Sequence, residues 1–209
     1  MSIADTMNVY LAGKIAQGDW RHAIVPGLRD AIHNEAPTDG WETIPFSVPG
    51  EKPSSERERG LHYVGPFFIA CDHGCAHGRS NHGYAASNQN VMCGDNMWSE
   101  WGKPHDDKTY IAREETFDRC LAAIRSCDLF FVWLDQRDAY GTLVEAGIAH
   151  TLGKRVYIVS PHTFDHDDFW FAGQMCVGGS IRQDHNPMDA LSCAVREMRS
   201  YERTRGAAS

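Results

Sequence analysis

The chain is expected to fold as an α/β domain on a doubly wound parallel sheet of about five strands, with helices on both faces and one irregular insertion. Three stretches carry that expectation. Asn8-Val-Tyr-Leu-Ala-Gly13 is a short β-type run that ends on glycine and leads into a helical stretch. Asp128-Leu-Phe-Phe-Val-Trp-Leu134 is apolar without alternation, the pattern of a strand covered on both sides. The helix expected from Gly141 to Leu152 stops at Gly153, the usual C′ glycine, and Arg155-Val-Tyr-Ile-Val159 supplies the next strand. Strand and helix alternate, which calls for a parallel sheet with helices on either side.

The remaining elements follow in order. Asp19 is the N-cap expected for the first helix, which runs to about Asn34. Trp20, Ala23, Ile24, Leu28, Ala31 and Ile32 form its buried stripe, with a kink at Pro26 and Gly27. Glu42 to Val48 reads as a second strand, which Pro45 places at an edge. From about residue 49 to 109 periodic apolar residues give way to Gly, Ser, Asn, His and Cys, apart from the short run Val64 to Cys71; this stretch is the insertion within a single domain of residues 1–209. Tyr110 to Ser126 is a helix whose Ile111, Phe117, Cys120, Leu121 and Ile124 share a face. A weak strand near Met175 to Ile181 and a last helix from Pro187 to about Arg203 close the chain.

The 209 residues are 42% hydrophobic, enough to bury an ordinary core, so disorder throughout is excluded. A net charge of −8 with no Lys/Arg block argues against binding a nucleic-acid polymer. The apolar run Leu129 to Leu134 is far short of the roughly 20 residues of a membrane span, so no membrane partner is expected. The first residues have neither a basic nor an apolar signal region, and seven cysteines suggest reduced thiols; a cytoplasmic location is expected. There is no G-x-x-x-x-G-K-[ST], G-x-G-x-x-G or H-E-x-x-H, so no cofactor is expected.

Open parallel sheets bind ligands at the carboxyl ends of their strands, so chemistry is expected after Leu134, in Asp135-Gln-Arg-Asp-Ala-Tyr-Gly-Thr-Leu-Val-Glu145. Glu145 falls in the first turns of a helix, where aligned amides favour an anion by roughly 0.3 to 1 kcal/mol. It is therefore expected to be ionised at neutral pH. Such a carboxylate either attacks as a nucleophile or merely complements the helix dipole. Asp128 reaches the crevice only if the preceding chain folds that way. His150, farther along the helix, reads as a packed or surface histidine.

Four ordered segments, Val9-Tyr-Leu-Ala-Gly13, Cys127 to Leu134, Gly141-Thr-Leu-Val-Glu-Ala-Gly147 and Gly153 to Val159, resemble the nucleoside 2-deoxyribosyltransferase family. The resemblance implies a flavodoxin-like domain with Glu145 as nucleophile, Asp128 managing the proton of the leaving base and Tyr10 orienting the glutamate. It places Gly13, Asp138, Gly141 and Thr142 around the substrate. It also implies a homo-oligomer, and a small nucleoside or nucleotide as partner, with a free base as acceptor. Ala139 stands where relatives often carry an aspartate, with Asp138 one residue earlier.

Breaking an N-glycosidic bond builds positive charge at the anomeric carbon and negative charge on the base; a carboxylate answers the first and an acid the second. Attack by a second base makes a transferase, attack by water a hydrolase of a nucleoside monophosphate or an NAD-like N-glycoside, with Lys103, Arg79 or histidines contacting phosphate. A non-catalytic nucleotide sensor is the alternative of another class. In the insertion, Cys71, Cys75, His82 and Cys93 are candidate zinc ligands, with a ligand-contacting flap or a solvated loop as the other readings. Zinc there would make the segment a metal-stabilised interaction module. Trp98 and Trp101 either anchor that loop or stack on a base, and Phe169-Trp-Phe-Ala172 is either a late aromatic segment of the site or core packing.

Overall fold

The structure, a computed structural model, describes residues 6–14, 19–25, 44–49, 60–66, 113–163 and 166–206. Its strands are β1 (Thr6–Gly13), β2 (Ile44–Phe46), β3 (Gly60–Gly65), β4 (Leu129–Trp133), β5 (Arg155–Ser160) and β6 (Arg182–Gln183). They form one six-stranded sheet in the order β2-β3-β1-β4-β5-β6. All neighbours are parallel except β2, which runs antiparallel to β3 at the edge, with Pro45 opposite His62. The edge position removes any demand for the N–H that proline lacks. Counted without β2, the order is the flavodoxin-like 2-1-3-4-5, which reverses direction at β1 and β4.

One boundary moves. β3 lies inside the stretch read as an insertion, yet it pairs with β1 over Thr6↔Gly60 to Tyr10↔Gly65. His62 and two glycines hide a strand whose Leu61, Tyr63 and Val64 are buried. β6 likewise starts just after the expected 175–181, where Cys176 contributes only an isolated bridge to Val156.

The helices are α1 (Trp20–Ile24), α2 (Arg113–Ser126), α3 (Tyr140–Thr151), α4 (His166–Gln174) and α5 (Pro187–Gly206). Asp19 caps α1, its Oδ1 accepting from the Arg21 N–H at 3.0 Å. The expected continuation to Asn34 lies outside the described residues. α3 ends in a Schellman motif: Gly153 at φ +72° donates to His150 O and Lys154 N to Ala149 O, at 2.9 Å each. Side chains alternate across the strands, so two cores form. Val9, Leu11, Leu129, Phe131 and Trp133 pack with α1 and α5. Tyr10, Ala12, Phe130, Val132 and Leu134 pack with α2, α3 and α4. Phe117 departs from the expected buried face of α2 and is 57% exposed.

Candidate active site

α3 turns Thr142, Ala146 and Ala149 into the sheet. Spacing of i, i+4 and i+7 defines its inward stripe, and Glu145 at i+3 falls on that stripe instead of facing water. The Tyr10 hydroxyl donates to Glu145 Oε1 at 2.6 Å. Tyr10 is fully buried; its ring stacks on Phe130 with centroids 4.9 Å apart and planes 11° from parallel. Gly65 makes room for that ring, since a Cβ there would stand 2.5 Å from Tyr10 Cε2. Packing from two strands thus aims one hydroxyl at one carboxylate. Cys120 on α2 adds to the upward shift of the Tyr10 hydroxyl.

Burial dominates the electrostatics. It pushes Glu145 up to about 7, opposed by the Tyr10 hydrogen bond and by the Arg21 charge. The expectation of an ionised glutamate at neutral pH is therefore corrected: the side chain is partly buried, and desolvation outweighs what the helix amides supply, which divides it between acid and anion there. Tyr10 is raised well above its ordinary value, by burial first and the Glu145 charge second, so it stays a proton donor in this pair.

The other expected residues separate into two groups. Gly13, Lys14 and Asp138 meet at the carboxyl ends of β1 and β4, where Lys14 Nζ donates to Asp138 Oδ2 at 2.6 Å. That bond holds the exposed Asp138 carboxyl below the usual range. Gly13 allows a close approach, because a Cβ would be 2.8 Å from the Trp133 carbonyl oxygen. Gly141 and Thr142 open α3, and Ala139, its N-cap residue, makes no side-chain cap bond. Asp128 is the exception. It precedes β4 at the amino end of the sheet, where its Oδ2 accepts from Asn8 N at 2.8 Å. Helix α2 delivers the chain to that end, and Asp128 there ties β1 to β4.

Sequence reasoning missed Arg21, Gly65 and Cys120. A fully buried arginine breaks the hydropathy pattern of α1, where Ala23, expected inside, is exposed. Asp135 was singled out only as part of the crevice; it is raised, mainly by burial, and its Oδ1 is buried with no hydrogen-bond partner among the described residues. A cavity of about 570 Å³ opens beside it, lined also by Arg137, His162 and Gln183. Among the described residues no group of three or more His, Cys, Asp or Glu could hold a metal ion. Cys71, Cys75, His82, Cys93, Trp98, Trp101, Arg79 and Lys103 lie outside the described residues. No helix of the described residues is long and apolar enough to cross a membrane.

Strand order and site together define an α/β protein with a tyrosine-held glutamate beside the reversal of a flavodoxin-like sheet. The profile of the nucleoside 2-deoxyribosyltransferases matches residues 69–191, more than half of the chain, and the protein belongs to that family. The match contains Asp128, Asp138, Gly141, Thr142 and Glu145, and takes in residues 69–109 of the expected insertion; Tyr10 and Gly13 precede it. The chain is thus a member of an enzyme family that handles nucleosides. No curated protein and no solved structure matches it.

Proposed function

We propose that this protein is a nucleoside 2-deoxyribosyltransferase working by double displacement through Glu145. The hydrogen bond of 2.6 Å from the Tyr10 hydroxyl to Glu145 Oε1 carries the reading, because it leaves Oε2 to attack while fixing the carboxylate's orientation. In the first step Oε2 bonds to the anomeric carbon as the carbon–nitrogen bond breaks; the bonding pair leaves with the base, which takes a proton from solvent. In the second step a nitrogen of an acceptor base attacks that carbon, its N–H proton passes to solvent, and Glu145 departs as carboxylate, so the cycle consumes no net proton. Tyr10 stays protonated and stabilises the charged glutamate before attack and after release. Gly13, Gly141 and Thr142 border the sugar, while Asp138, tied to Lys14, shapes the rim. Neighbouring copies of the chain close the site in a homo-oligomer, and the reaction takes place in the cytoplasm without a cofactor.

Incubation with nucleosides and 5′-monophosphates, ribo and deoxy, with and without a free base, tests the reading by chromatography. New nucleoside formed only when acceptor base is present is the expected result. Free base released without acceptor would replace transfer by hydrolysis, and no turnover across the panel would favour a nucleotide sensor.

A further inference from the structure

A groove at the carboxyl ends of β5 and β6 lies between α4, β6 and the turn 178–181. Its volume is about 370 Å³, within the roughly 300 to 1,000 Å³ of small-molecule sites. Phe169 and Trp170 line it, and Trp170, 60% exposed, meets the Phe171 ring edge to face at 5.5 Å. Gly173, buried on α4, also lines it; a Cβ there would meet Ser180 Cα at 3.5 Å and Ile181 N at 3.6 Å, so the glycine keeps the space between helix and turn open. Gly178 and Gly179, at φ +89° and +72°, shape the turn, and Gln174 Nε2 donates to Gly179 O at 3.3 Å, which ties it to α4. The opening is thus built by backbone.

Polarity changes along the groove. Arg182 lines the aromatic end, yet its NH1 and NH2 are bonded to Glu197 at 2.5 and 2.9 Å, so that charge is already satisfied within the protein. His162, Thr163 and Gln183 are shared with the adjoining cavity of about 570 Å³, where Asp135 and Arg137 make the lining polar. An aromatic wall that passes into a polar trough matches a nucleoside, with a flat base at one end and a hydroxylated sugar at the other. β5 and β6 are second and third from β1, whose Tyr10 holds Glu145. At roughly 4.8 Å per strand they stand about 10 to 14 Å away. A base in the groove is therefore out of reach of a sugar carried by Glu145, since reacting atoms must come within about 3 to 3.5 Å.

We propose that this groove is a second nucleoside site, distinct from the one at Glu145, with the base against Trp170 and the sugar toward Asp135 and Arg137. It does not depend on Glu145 being the nucleophile, only on nucleosides being the compounds that this family handles.

The test is a titration of the full chain, carrying Glu145→Gln to suppress turnover, with adenosine and separately with uridine, adenine and adenosine 5′-monophosphate. It is followed on the nitrogen-15 indole signal of Trp170, assigned as the one missing from Trp170→Phe. Adenosine or uridine should move that signal along a saturating curve, and adenine, lacking the sugar, should bind about threefold or more weaker than adenosine. Gly173→Ala, whose methyl narrows the groove at ordinary contact distances, and Gln183→Ala, which removes a hydrogen-bonding group, should each weaken the nucleoside by about threefold or more. An indole that neither nucleoside moves at millimolar concentration overturns the proposal, as does an affinity that both groove variants leave unchanged. Adenine binding as tightly as adenosine would replace the nucleoside by a free base, and a monophosphate bound about tenfold tighter than adenosine would replace it by a nucleotide. Because binding is read without turnover, a protein inactive in the exchange assay leaves a positive result standing, and an unmoved indole leaves the reading of Glu145 intact.

Discussion

Both faces of the sheet are buried, but they are built from different residues. On the α1/α5 face the core is large: Met7, Leu11, Phe131, Trp133, Leu191 and Met198 fill the space. On the α2/α3 face small residues recur, with Ala12, Ala123, Ala139, Ala146 and Ala149 buried beside Tyr10 and Phe130. Large side chains close a core; small ones bring helix and sheet near enough for a carboxyl on α3 to meet a hydroxyl on β1. On the second face the fold gives up stability to hold a partly buried glutamate.

The largest expected effect separates the faces outright. Glu145→Gln should reduce base exchange by about a thousandfold or more, measured as kcat/KM. The same variant should be more stable at pH 8. Glu145 is raised from 4.5 to about 7, so the folded state binds the proton more tightly than the unfolded chain. Stability is therefore full below about 4.5 and falls as pH rises through about 7, by up to about 3 kcal/mol. Glutamine cannot ionise, and denaturant melts at pH 5 and pH 8 should show that loss in the wild type alone.

Tyr10→Phe removes a hydrogen bond to a charged group, so activity should fall about tenfold or more. Its acid limb should move above the wild-type limb, which is expected near 7 in kcat/KM of the free enzyme. The opposite face gives the contrast. Leu191→Ala should cost about 2 to 5 kcal/mol in denaturant melts while leaving kcat/KM per folded molecule unchanged. Gly65→Ala should cost less, about 1 to 3 kcal/mol, but should lower exchange as well, because the new methyl displaces the Tyr10 ring. If Gly65→Ala keeps full activity, the glycine has no part in aiming Tyr10.

Several parts of this arrangement are legible in the chain itself. The continuous apolar run of β4 and the glycine stop of α3 lie where pattern places them, and Pro45 marks its strand as an edge. Glu145 also carries a local signal, an acid on the inward stripe of an apolar helix. β3 is obscured because two glycines and a histidine interrupt its apolar residues, although its neighbours bury it. Arg21 carries no such signal, since a basic residue in the first turn of a helix ordinarily faces solvent.

Sequence by itself determined the alternation of strand and helix, the parallel sheet, and which helix bears Glu145, because each follows from periodicity and backbone preference over a few residues. Only the tertiary structure decided who meets that acid. Tyr10 and Glu145 are 135 positions apart, Gly65 matters through a ring it does not adjoin in the chain, and Asp128 is carried to the far end of its strand. Desolvation, too, belongs to the folded molecule: the charge state of Glu145 depends on water excluded by residues from several elements, a quantity that no local pattern contains.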